Sequence, residues 1–324
     1  MITDLGMDVR QLRYFVRIAE LGSVSAASHR LGVAQPSLSQ HVKHLEQELG
    51  VDLLVRSSRG VSLTDSGQIL LSHAQSIVHA VDVAVTEIKD RSGELRGSVS
   101  IGVPSSAGNV LSVPLAETVL HQYPKLMLRT MEAMSGHVQE WLAQGQLDLG
   151  ILYDVDHVRH LRIQPLLMEE LFLVSAADGW HGKIGNDGIA QKPITLRECA
   201  ELGLVLPHRS HGLRETIERF ASSQTVSLNV VTEMDSLTNM KALVARGSGY
   251  SILAHSGVVE EIQRATLVIV PIRDPIMRRT VFLVRNPSRP LTEATREVER
   301  LIKEIVAELV RKRLWLGQIC SSYT

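Results

Sequence analysis

The chain contains 324 residues, of which 44% are hydrophobic and 21% are charged, and its formal net charge at pH 7 is −1. This length and composition predict about two globular domains with apolar cores. The polar, acidic start predicts no signal peptide, and no uncharged stretch is long enough to cross a bilayer. The two cysteines, Cys199 and Cys320, lie far apart, which favours a reducing compartment over a disulfide framework. We therefore expect a cytoplasmic protein that does not associate with membranes.

A helix is predicted at the start of the chain, because Asp8 is a good N-cap residue and Gly22 ends the apolar periodicity. Its apolar stripe consists of Leu12, Phe15, Val16 and Ala19. Residues 23–49 then predict two further short helices with a tight turn between them. Gly32 ends the first of these helices, and Pro36 occupies the first turn of the second.

The second helix of this hairpin has one apolar and one polar face. Its apolar stripe consists of Leu38, Val42, Leu45 and Leu49, at steps of four, three and four residues. At about 100° per residue, the opposite face carries Gln40, Lys43 and Gln47, flanked by Ser37, Ser39 and His44. Such side chains donate to and accept from base edges and phosphates, so the pattern favours a helix that reads DNA in the major groove. The alternative is a surface hairpin whose polar face meets only solvent.

Residues 51–64 predict two short strands around a Ser-Ser-Arg-Gly turn, which would form a wing beside the DNA backbone. Arg56 and Arg59 would then point at phosphates or the minor groove, the alternative being solvated charges on a hairpin. The first 66 residues carry seven Lys and Arg and seven Asp and Glu, so this domain is neutral. Because nonspecific affinity grows with the number of phosphates neutralised, we expect weak binding by one copy and the use of two or more.

A long helix is predicted at about residues 65–91, with Thr64 as its N-cap. Its apolar positions form a heptad seam that consists of Leu70, Ala74, Ile77, Val81, Ala84 and Ile88. Pairing with a second copy of the chain would cover this seam, and packing on the chain's own winged domain is the alternative. Gly93 and Gly97 are expected to end the helix and begin a flexible joint.

From residue 98 onward, strand-like runs alternate with helix-like segments. The predicted strands are SVSIGV, LMLRTME, LDLGIL, LFLVSA, GLVL, SLNVVTE and TLVIVPI. This alternation predicts an α/β architecture with mostly parallel sheets. The region holds about 190 residues, more than one small doubly wound unit needs, so two lobes are expected. The tail from Leu291 to about Leu316 predicts one more amphipathic helix.

The most specific motifs lie in the N-terminal third. They are the Ala-Ala pair at 26–27, the Gln-Pro-Ser-Leu-Ser run at 35–39, the Leu-Glu-x-Glu-Leu-Gly end of the third helix, and the Arg-x-x-x-Gly-x-x-Leu-Thr-x-x-Gly wing. On these motifs the chain resembles a LysR-type transcriptional regulator, from about Val9 to the last helix. It is also similar to the nitrogen-assimilation-control branch of that family.

The resemblance implies a helix-rich winged helix-turn-helix domain at residues 1–66, a dimerising linker helix and hinge at 67–97, and an effector domain at 98–324. The effector domain would have two α/β lobes like those of type 2 periplasmic binding proteins. Lobe I would span about 98–175 and 280–324, and lobe II about 176–279. Homodimers or homotetramers bound to neighbouring promoter sites are implied as well.

Residues that contact DNA follow from the resemblance and from the polar face. The positions that contact DNA in the family correspond to Gln35, Pro36, Ser39, Gln40 and Arg56, and we add Ser37, Lys43 and Arg59. Position 40 is often arginine in the relatives, and glutamine here predicts a shift from guanine toward adenine contacts.

An effector is expected between the lobes, because ligands of two-lobed folds lie at strand ends and helix N-termini. The candidate residues at such turns are Ser105, Ser106, Ser135, Gly136, Arg209, Ser210 and His211. Hydroxyl groups and free N–H groups suit a carboxylate, and Arg209 with Arg214 favours an anionic ligand. Taken singly, Ser105 or Ser135 is better explained as a helix cap.

No cofactor, metal site or catalytic group is predicted. The Gly-x-Gly of GSGYSI follows a helix and lacks a third glycine, and Asp154, Asp156, His157 and His160 are typical of solvated loops. The expected partners are double-stranded promoter DNA, a small anionic effector, further copies of the chain and RNA polymerase. Two alternatives stand beside this hypothesis. One is an α/β ligand-binding protein or enzyme whose hairpin makes only protein contacts, and the other is a regulator controlled by its own abundance without an effector.

Overall fold

The computed structural model of the protein describes residues 6–57, 60–89, 94–153, 155 and 161–320. The N-terminal domain consists of helices α1 (Val9–Leu21), α2 (Val24–Leu31) and α3 (Gln35–Leu49), strands β1 (Leu54–Ser57) and β2 (Gly60–Leu63), and the long helix α4 (Asp65–Lys89). Helix α4 leads into the larger C-terminal region. The three short helices, the two-stranded wing and the long helix that the sequence predicts are therefore confirmed.

Local hydrogen bonds and glycines set the helix ends of this domain. Asp8 and Gln11 form a capping box at the start of α1, in which the Gln11 N–H donates to Oδ1 of Asp8 at 2.7 Å. Gly22 and Gly32 follow α1 and α2 in the left-handed conformation, with φ angles of 59° and 65°. Because a side chain is strained at such φ values, glycine ends both helices where the sequence predicts.

The apolar stripes of the first three helices meet in one core. Its buried members include Leu12, Phe15, Ile18, Leu38, Val42 and Leu45, together with Leu71 and Ala74 of α4. A carboxylate ties the wing to this core, because the N–H groups of Leu53 and Leu54 donate to Oε1 of Glu46 at 3.0 and 3.2 Å. The wing is therefore held in a defined position beside α3.

The first turn of α4 approaches the wing so closely that only glycine fits at position 67. A Cβ atom on Gly67 would lie 2.0 Å from the backbone carbonyl oxygen of Leu53. We expect Gly67→Ala to lower the free energy of unfolding of the winged domain by about 3 kcal/mol, because backbone must shift to relieve the overlap. Thermal unfolding followed by circular dichroism measures the loss. Gly136→Ala is the matched control, since its Cβ would meet nothing within 4 Å in the first turn of another helix, and an equal effect of both changes would contradict the prediction.

Helix α4 divides into two parts with different surroundings. Leu71 and Ala74 are buried in the winged core, and Leu70 packs against it. Further along the helix, Ile77 and Val85 are 40% and 43% exposed. Of the predicted heptad seam, Leu70 and Ala74 are thus covered by the chain's own winged domain, whereas Ile77 is exposed. Val85, next to the seam position Ala84, is a further exposed apolar side chain.

The C-terminal region alternates strands and helices, as predicted. Its first part contains β3 (Gly97–Val103), α5 (Ser105–Gln122), β4 (Leu126–Glu132), α6 (Ser135–Ala143), β5 (Leu149–Leu152) and β6 (Arg162–Ala176). The middle part contains β7 (Ile194–Thr195), α7 (Leu196–Glu201), β8 (Leu204–Leu206), α8 (Gly212–Ser223), β9 (Val230–Glu233), α9 (Leu237–Ala245) and β10 (Ser251–Ala254). A 3₁₀ turn (His255–Gly257), α10 (Val259–Gln263), β11 (Leu267–Arg273), β12 (Arg278–Arg285), α11 (Glu293–Arg311) and β13 (Gly317–Ile319) complete it. Within the described ranges, no helix combines the length and apolarity that a bilayer crossing needs.

Strand β6 joins two lobes. Up to Glu170 it pairs with β12, and from Leu171 onward it pairs with β10 and β11. The strand order is β4-β3-β5-β12-β6-β11-β7, and β8 and β9 form a separate parallel pair. One apolar core lies around β3, β5, α5 and α11, and a second lies around β8, β10 and β11. The chain crosses between the lobes within β6 and again between β11 and β12, a few residues from the predicted boundaries at 175 and 280.

The expectation of mostly parallel sheets needs correction. Parallel pairing holds for β3 with β4 and β5, for β7 with β11, and for β8 with β9. Every pair that involves β6 is antiparallel, because this strand and β12 carry the chain between the lobes in opposite directions. Strand β12 is absent from the predicted set, since a buried arginine, Arg279, interrupts its apolar pattern.

Two predicted boundaries also change. Helix α11 ends at Arg311, not near Leu316, because Arg313 adopts a φ of 59° and the chain turns so that the fully buried Trp315 faces the core. The apolar periodicity continues in the sequence after the helix has ended. Gly97 begins strand β3, and Gly93 lies outside the described residues.

Candidate functional site

Helix α3 presents its predicted polar face to solvent. The exposed residues are Gln35, Pro36, Ser37, Gln40 and Lys43, with Ser39 half-buried among them. The stripe on the other side, Leu38, Val42 and Leu45, is fully buried. The structure therefore places all six predicted α3 residues on the first three turns of one exposed helix.

The N-terminus of α3 presents backbone donors as well. Its N-cap residue, Ala34, has no side-chain acceptor, and the first helical hydrogen bond runs from the Leu38 N–H to the Ala34 carbonyl at 3.1 Å. Because Pro36 has no N–H group, the donors at this end belong to Gln35 and Ser37. Such donors, together with the positive end of the helix dipole, suit a phosphate group.

Contacts between the helices hold α3 at a fixed angle. The Ser28 hydroxyl donates to the carbonyl oxygen of Val33 at 2.6 Å, which closes the turn between α2 and α3. The rings of Tyr14 and His41 meet edge to face with centroids 5.0 Å apart, which joins α1 to α3. Preorganisation of this kind is what a recognition helix needs, because side chains must meet base edges in a single register.

Of the two predicted arginines of the wing, one lies within the described residues. Arg56 is exposed on β1, opposite Val61 of β2. Arg59 lies outside the described residues. The carboxylate of Glu46 fastens the wing, a role that the charge balance of the domain does not reveal. The signal that could have found it is its position in the Leu-Glu-x-Glu-Leu-Gly motif just before the wing.

The cleft that contains most of the predicted effector residues lies between the lobes and has a volume of about 610 Å³. A second groove, with a volume of about 690 Å³, contains only Arg209 of the seven. Six of the seven candidates line this inter-lobe cleft, namely Ser105, Ser106, Ser135, Gly136, Ser210 and His211. Helices α5, α6 and α8 all begin at its wall. The two lobes thus bring together turns that lie more than 100 residues apart in sequence.

Arg209 and Arg214 do not supply the positive charge of the cleft. Arg209 lines the other, larger groove, which runs beside β9. The side chain of Arg214 is buried on α8, where it pairs with Glu218 at 2.8 Å and Glu233 at 3.3 Å. Of the candidates at the turn before α8, Ser210 and His211 line the inter-lobe cleft, whereas the two arginines lie outside it.

Among the described lining residues the guanidinium belongs to Arg279, which the sequence did not point to. Arg279 is the second residue of β12, is 8% exposed and lies over the ring of Tyr153, with its guanidinium carbon 3.6 Å from the ring centroid. One guanidinium nitrogen donates to the Ser106 hydroxyl at 3.2 Å, and Nε donates to Glu169 at 2.7 Å. Glu169 is also bonded to Trp315, whose indole Nε1–H donates to its carboxylate at 2.6 Å. This buried network forms the floor of the cleft where the strands cross.

Burial sets the protonation of the neighbouring side chains. Desolvation, with the Glu169 carboxylate nearby, raises the pKa of Tyr153 well above its ordinary value, so the phenol is neutral. Burial, reinforced by Arg279, lowers the pKa of His211 below 6.5 although Asp235 opposes the shift. His211 is therefore neutral at pH 7, and its Nδ1 accepts from the Leu213 N–H at 3.1 Å. Among the described lining residues, Arg279 and three carboxylates are then charged.

Asp154, Asp156, His157 and His160 lie outside the described residues.

Taken together, a helix-turn-helix with a wing, a long connecting helix and a two-lobed domain with an internal cleft define a DNA-binding transcriptional regulator with a separate regulatory domain.

Comparison with known families places the chain more closely. Residues 9–68 match the bacterial regulatory helix-turn-helix protein, lysR family, and residues 92–307 match the LysR substrate binding domain. The chain belongs to the LysR family, which confirms the resemblance seen in its sequence.

Relatives cover almost the whole chain. Nitrogen assimilation regulatory protein nac of Klebsiella aerogenes is 31% identical over 302 residues, which are 93% of this chain and 96% of that protein. The hydrogen peroxide-inducible genes activator of Escherichia coli O6:H1 is 31% identical over 316 residues, or 95% and 96% of the two chains. A full-length OxyR variant from Pseudomonas aeruginosa has the same fold, with a TM-score of 0.75, 24% identity and coverage of 98% and 99%. Within the family, the chain is thus similar to the branch that contains nac.

Proposed function

We propose that this regulator recognises a specific promoter sequence through α3 and responds to a small molecule bound between its lobes. The observation that carries the DNA half is the exposed face of α3, where Gln40 and Lys43 stand clear of the core. The uncapped start of the same helix offers its N–H groups to a phosphate. Binding to a promoter implies RNA polymerase as a further partner. We place the protein in the cytoplasm.

The exposed residues divide into two roles. Gln40 is long enough to bond N6 and N7 of an adenine in the major groove, and the hydroxyls of Ser37 and Ser39 bond bases or phosphates. Lys43 and Arg56 neutralise phosphates, and we assign the same role to Arg59. Gln35 and Pro36 contact the sugar-phosphate backbone of the DNA. Base edges specify the site, whereas phosphate contacts set the position of the helix.

Two copies are needed because the winged domain is neutral. Seven positive and seven negative residues in the first 66 cancel, so one domain gains little from counterion release. The later part of α4 offers the surface for pairing, since Ile77 and Val85 are exposed apolar side chains. Antiparallel or parallel packing of two α4 helices would bury them and present two recognition helices to one operator.

Val85→Glu tests this dimer. We expect the change to raise the dissociation constant of the dimer roughly 100-fold or more, because an unpaired charge in an apolar interface costs several kcal/mol. Light scattering coupled to size-exclusion chromatography measures the mass in solution. His73→Glu adds the same charge at an exposed polar position of the same helix and is expected to leave the dimer intact. A Val85→Glu protein that keeps its mass would contradict pairing through α4.

Exposed apolar side chains in both lobes support assembly beyond the dimer. Val113 and Leu120 of α5 and Met127 of β4, in lobe I, are 62%, 70% and 69% exposed, and Val231 of β9, in lobe II, is 54% exposed. Large apolar side chains that face solvent become favourable contacts when another protein surface covers them. We therefore propose that the regulatory domains also pair, which would give a homotetramer.

Helix α6 offers a direct route from the cleft to α4. Its first turns line the cleft, and the residues that follow it contact the linker helix. The Ser72 hydroxyl donates to the carbonyl oxygen of Gln144 at 3.4 Å, and a Cβ on Gly145 would lie 2.5 Å from the Ser76 hydroxyl oxygen. A shift of α6 on ligand binding would therefore displace the helix that spaces the two DNA-binding domains, and so change the balance between two arrangements on DNA.

We propose no peroxide response, the property in the name of one relative, for this chain. Thiol sensing needs an accessible cysteine with a lowered pKa. Cys199 is fully buried and burial raises its pKa to about 12, and burial also raises the pKa of Cys320. Neither surrounding favours the thiolate. LysR-family regulators are generally not enzymes, and we propose no catalytic activity here.

Selection from a random library of DNA duplexes tests the DNA half of the proposal. The full-length protein is expected to enrich an inverted repeat and to bind it at least about 1,000-fold more tightly than unrelated DNA at physiological salt. Gel-shift titration over a range of salt measures both affinities. The absence of an enriched sequence would instead support the alternative in which the N-terminal hairpin makes only protein contacts.

A further inference from the structure

The charges around the inter-lobe cleft are not those of a simple anion site. Among the residues that the structure describes, three carboxylates line it, those of Glu140, Glu215 and Asp235, against one guanidinium, that of Arg279. The positive charge of Arg279 is itself matched by Glu169 in the buried pair. A ligand that carried only negative charge would therefore meet a described lining whose net charge is negative, and charge complementarity decides which partners are excluded.

The donors of the cleft lie at its lobe I end. Helices α5 and α6 begin there after Pro104 and Met134, neither of which provides a side-chain cap. The hydroxyls of Ser105, Ser106 and Ser135 stand at the same turns. Free N–H groups, hydroxyls and the guanidinium of Arg279 together form a seat for a carboxylate.

The lobe II end holds two of the three carboxylates; the third, Glu140, is on α6 of lobe I and accepts a hydrogen bond from Nε2 of Gln144 at 2.9 Å. Glu215, in the first turn of α8, is exposed, and its carboxylate makes no hydrogen bond or ion pair with the residues that the structure describes. Asp235 accepts one hydrogen bond, from the His208 N–H at 2.8 Å, and has no cationic partner in the same described ranges. His211, which lines the same cleft, is neutral, so it does not offset their charge. Within the described part of the chain, two lobe II carboxylates without a cationic partner thus line the cavity.

We propose that the cleft binds a small amphoteric metabolite, whose carboxylate lies against the starts of α5 and α6 and whose ammonium or guanidinium group lies between Glu215 and Asp235. This inference rests on the proposed effector role of the cleft and replaces the purely anionic ligand that the sequence suggests. One such molecule contacts both lobes with opposite charges, so its binding favours the closed arrangement of the cleft.

Matched probes of one chain length test the proposal on the full-length protein. The probes are 5-aminopentanoate, pentanoate, pentylamine and glutarate, with glycine, 4-aminobutanoate and 6-aminohexanoate to vary the spacing of the two charges. Calorimetry and thermal shift measure binding. We expect at least one amino-carboxylate to bind about tenfold or more tightly than pentanoate, pentylamine or glutarate, since each charged hydrogen bond lost costs about that factor.

Substitutions locate the cationic end. The double change Glu215→Gln with Asp235→Asn keeps both side-chain volumes and the acceptor for the His208 N–H. It is expected to weaken binding of the best amino-carboxylate about tenfold and to leave pentanoate binding unchanged. The control is Glu201→Gln, on α7 and outside the cavity lining. It removes one negative charge and is expected to leave binding of the amino-carboxylate unchanged. Unliganded melting temperatures equal to the parent protein show that the fold is kept.

Three results would overturn the inference. They are glutarate or pentanoate binding as tight as the best amino-carboxylate, pentylamine binding as tight, or an unchanged affinity in the double variant. Binding of glutarate alone would leave the small-molecule half of the proposed function in place while rejecting the amphoteric class. If no probe binds, both the amphoteric ligand and the small-molecule part of the proposed function are rejected. The selection of DNA duplexes tests the DNA-binding part of the proposed function independently.

Discussion

Gln40→Ala is expected to weaken binding to the selected operator about 30-fold or more while leaving fold and oligomeric state intact. A bidentate contact to a base is worth about 1–3 kcal/mol of discrimination, and a dimer makes the contact twice. Because Gln40 is exposed on α3, its truncation removes no packing. Gel-shift titration with the operator and with unrelated DNA measures the loss, which should fall on the operator alone.

The control for this change is Gln122→Ala, the same substitution at an exposed position at the end of α5. A further variant, Gln40→Arg, should move the preference at one position of each half-site from adenine to guanine, because arginine bonds O6 and N7 of guanine. Unchanged operator affinity in Gln40→Ala would remove α3 from base recognition and leave the polar face as ordinary surface.

Arg279→Met is expected to lower the free energy of unfolding of the regulatory domain by about 3–5 kcal/mol, because it leaves the Glu169 carboxylate buried without its cation. Glu169 is 1% exposed, and its other partners, Trp315 and Ser256, are neutral donors. Urea unfolding followed by tryptophan fluorescence measures the loss. All three tryptophans lie in the regulatory region, so the signal reports on that region alone.

The neighbouring arginine gives a matched control. Arg278 pairs with Glu170 at 3.0 Å, but its side chain is 47% exposed, so Arg278→Met should cost no more than about 1 kcal/mol. Adding Glu169→Gln to Arg279→Met should recover part of the loss, since the buried charge is then gone while acceptors for Trp315 and Ser256 stay. Equal costs for the two arginines would show that the buried pair is not what holds the floor of the cleft.

The DNA-binding domain was predictable because its determinants are local. Asp8 and Gln11 form a capping box within one turn, Gly22 and Gly32 end helices by their own backbone freedom, and the stripe of α3 repeats within fifteen residues. The two strands of the wing are likewise predicted from residues that lie close together in sequence. Only the tie between Glu46 and the wing needed the folded structure, since it joins a helix to a strand through a side chain with no periodic signature.

The cleft was predictable only where a strand runs directly into a helix. Ser105, Ser106 and Ser135 follow strands in sequence, so their place at helix starts is a local property. Arg209 obeys the same sequence pattern and nevertheless lies outside the cleft. It directly precedes Ser210, yet the turn places these two neighbouring side chains in different grooves, which sequence does not reveal.

The chain by itself determined the class of protein, the helix-turn-helix and its polar face, the alternation that makes an α/β regulatory domain, and the hydroxyls at the strand ends. These depend on caps, glycines and periodicity, which act over a few residues. Only the tertiary structure decided which charged groups line the cleft, and which part of α4 packs against the winged domain. Arg279 and Glu169 are 110 residues apart and Glu169 and Trp315 are 146 apart, and such pairs meet only because β6 and β12 cross between the lobes, a consequence of whole-chain topology that no local pattern encodes.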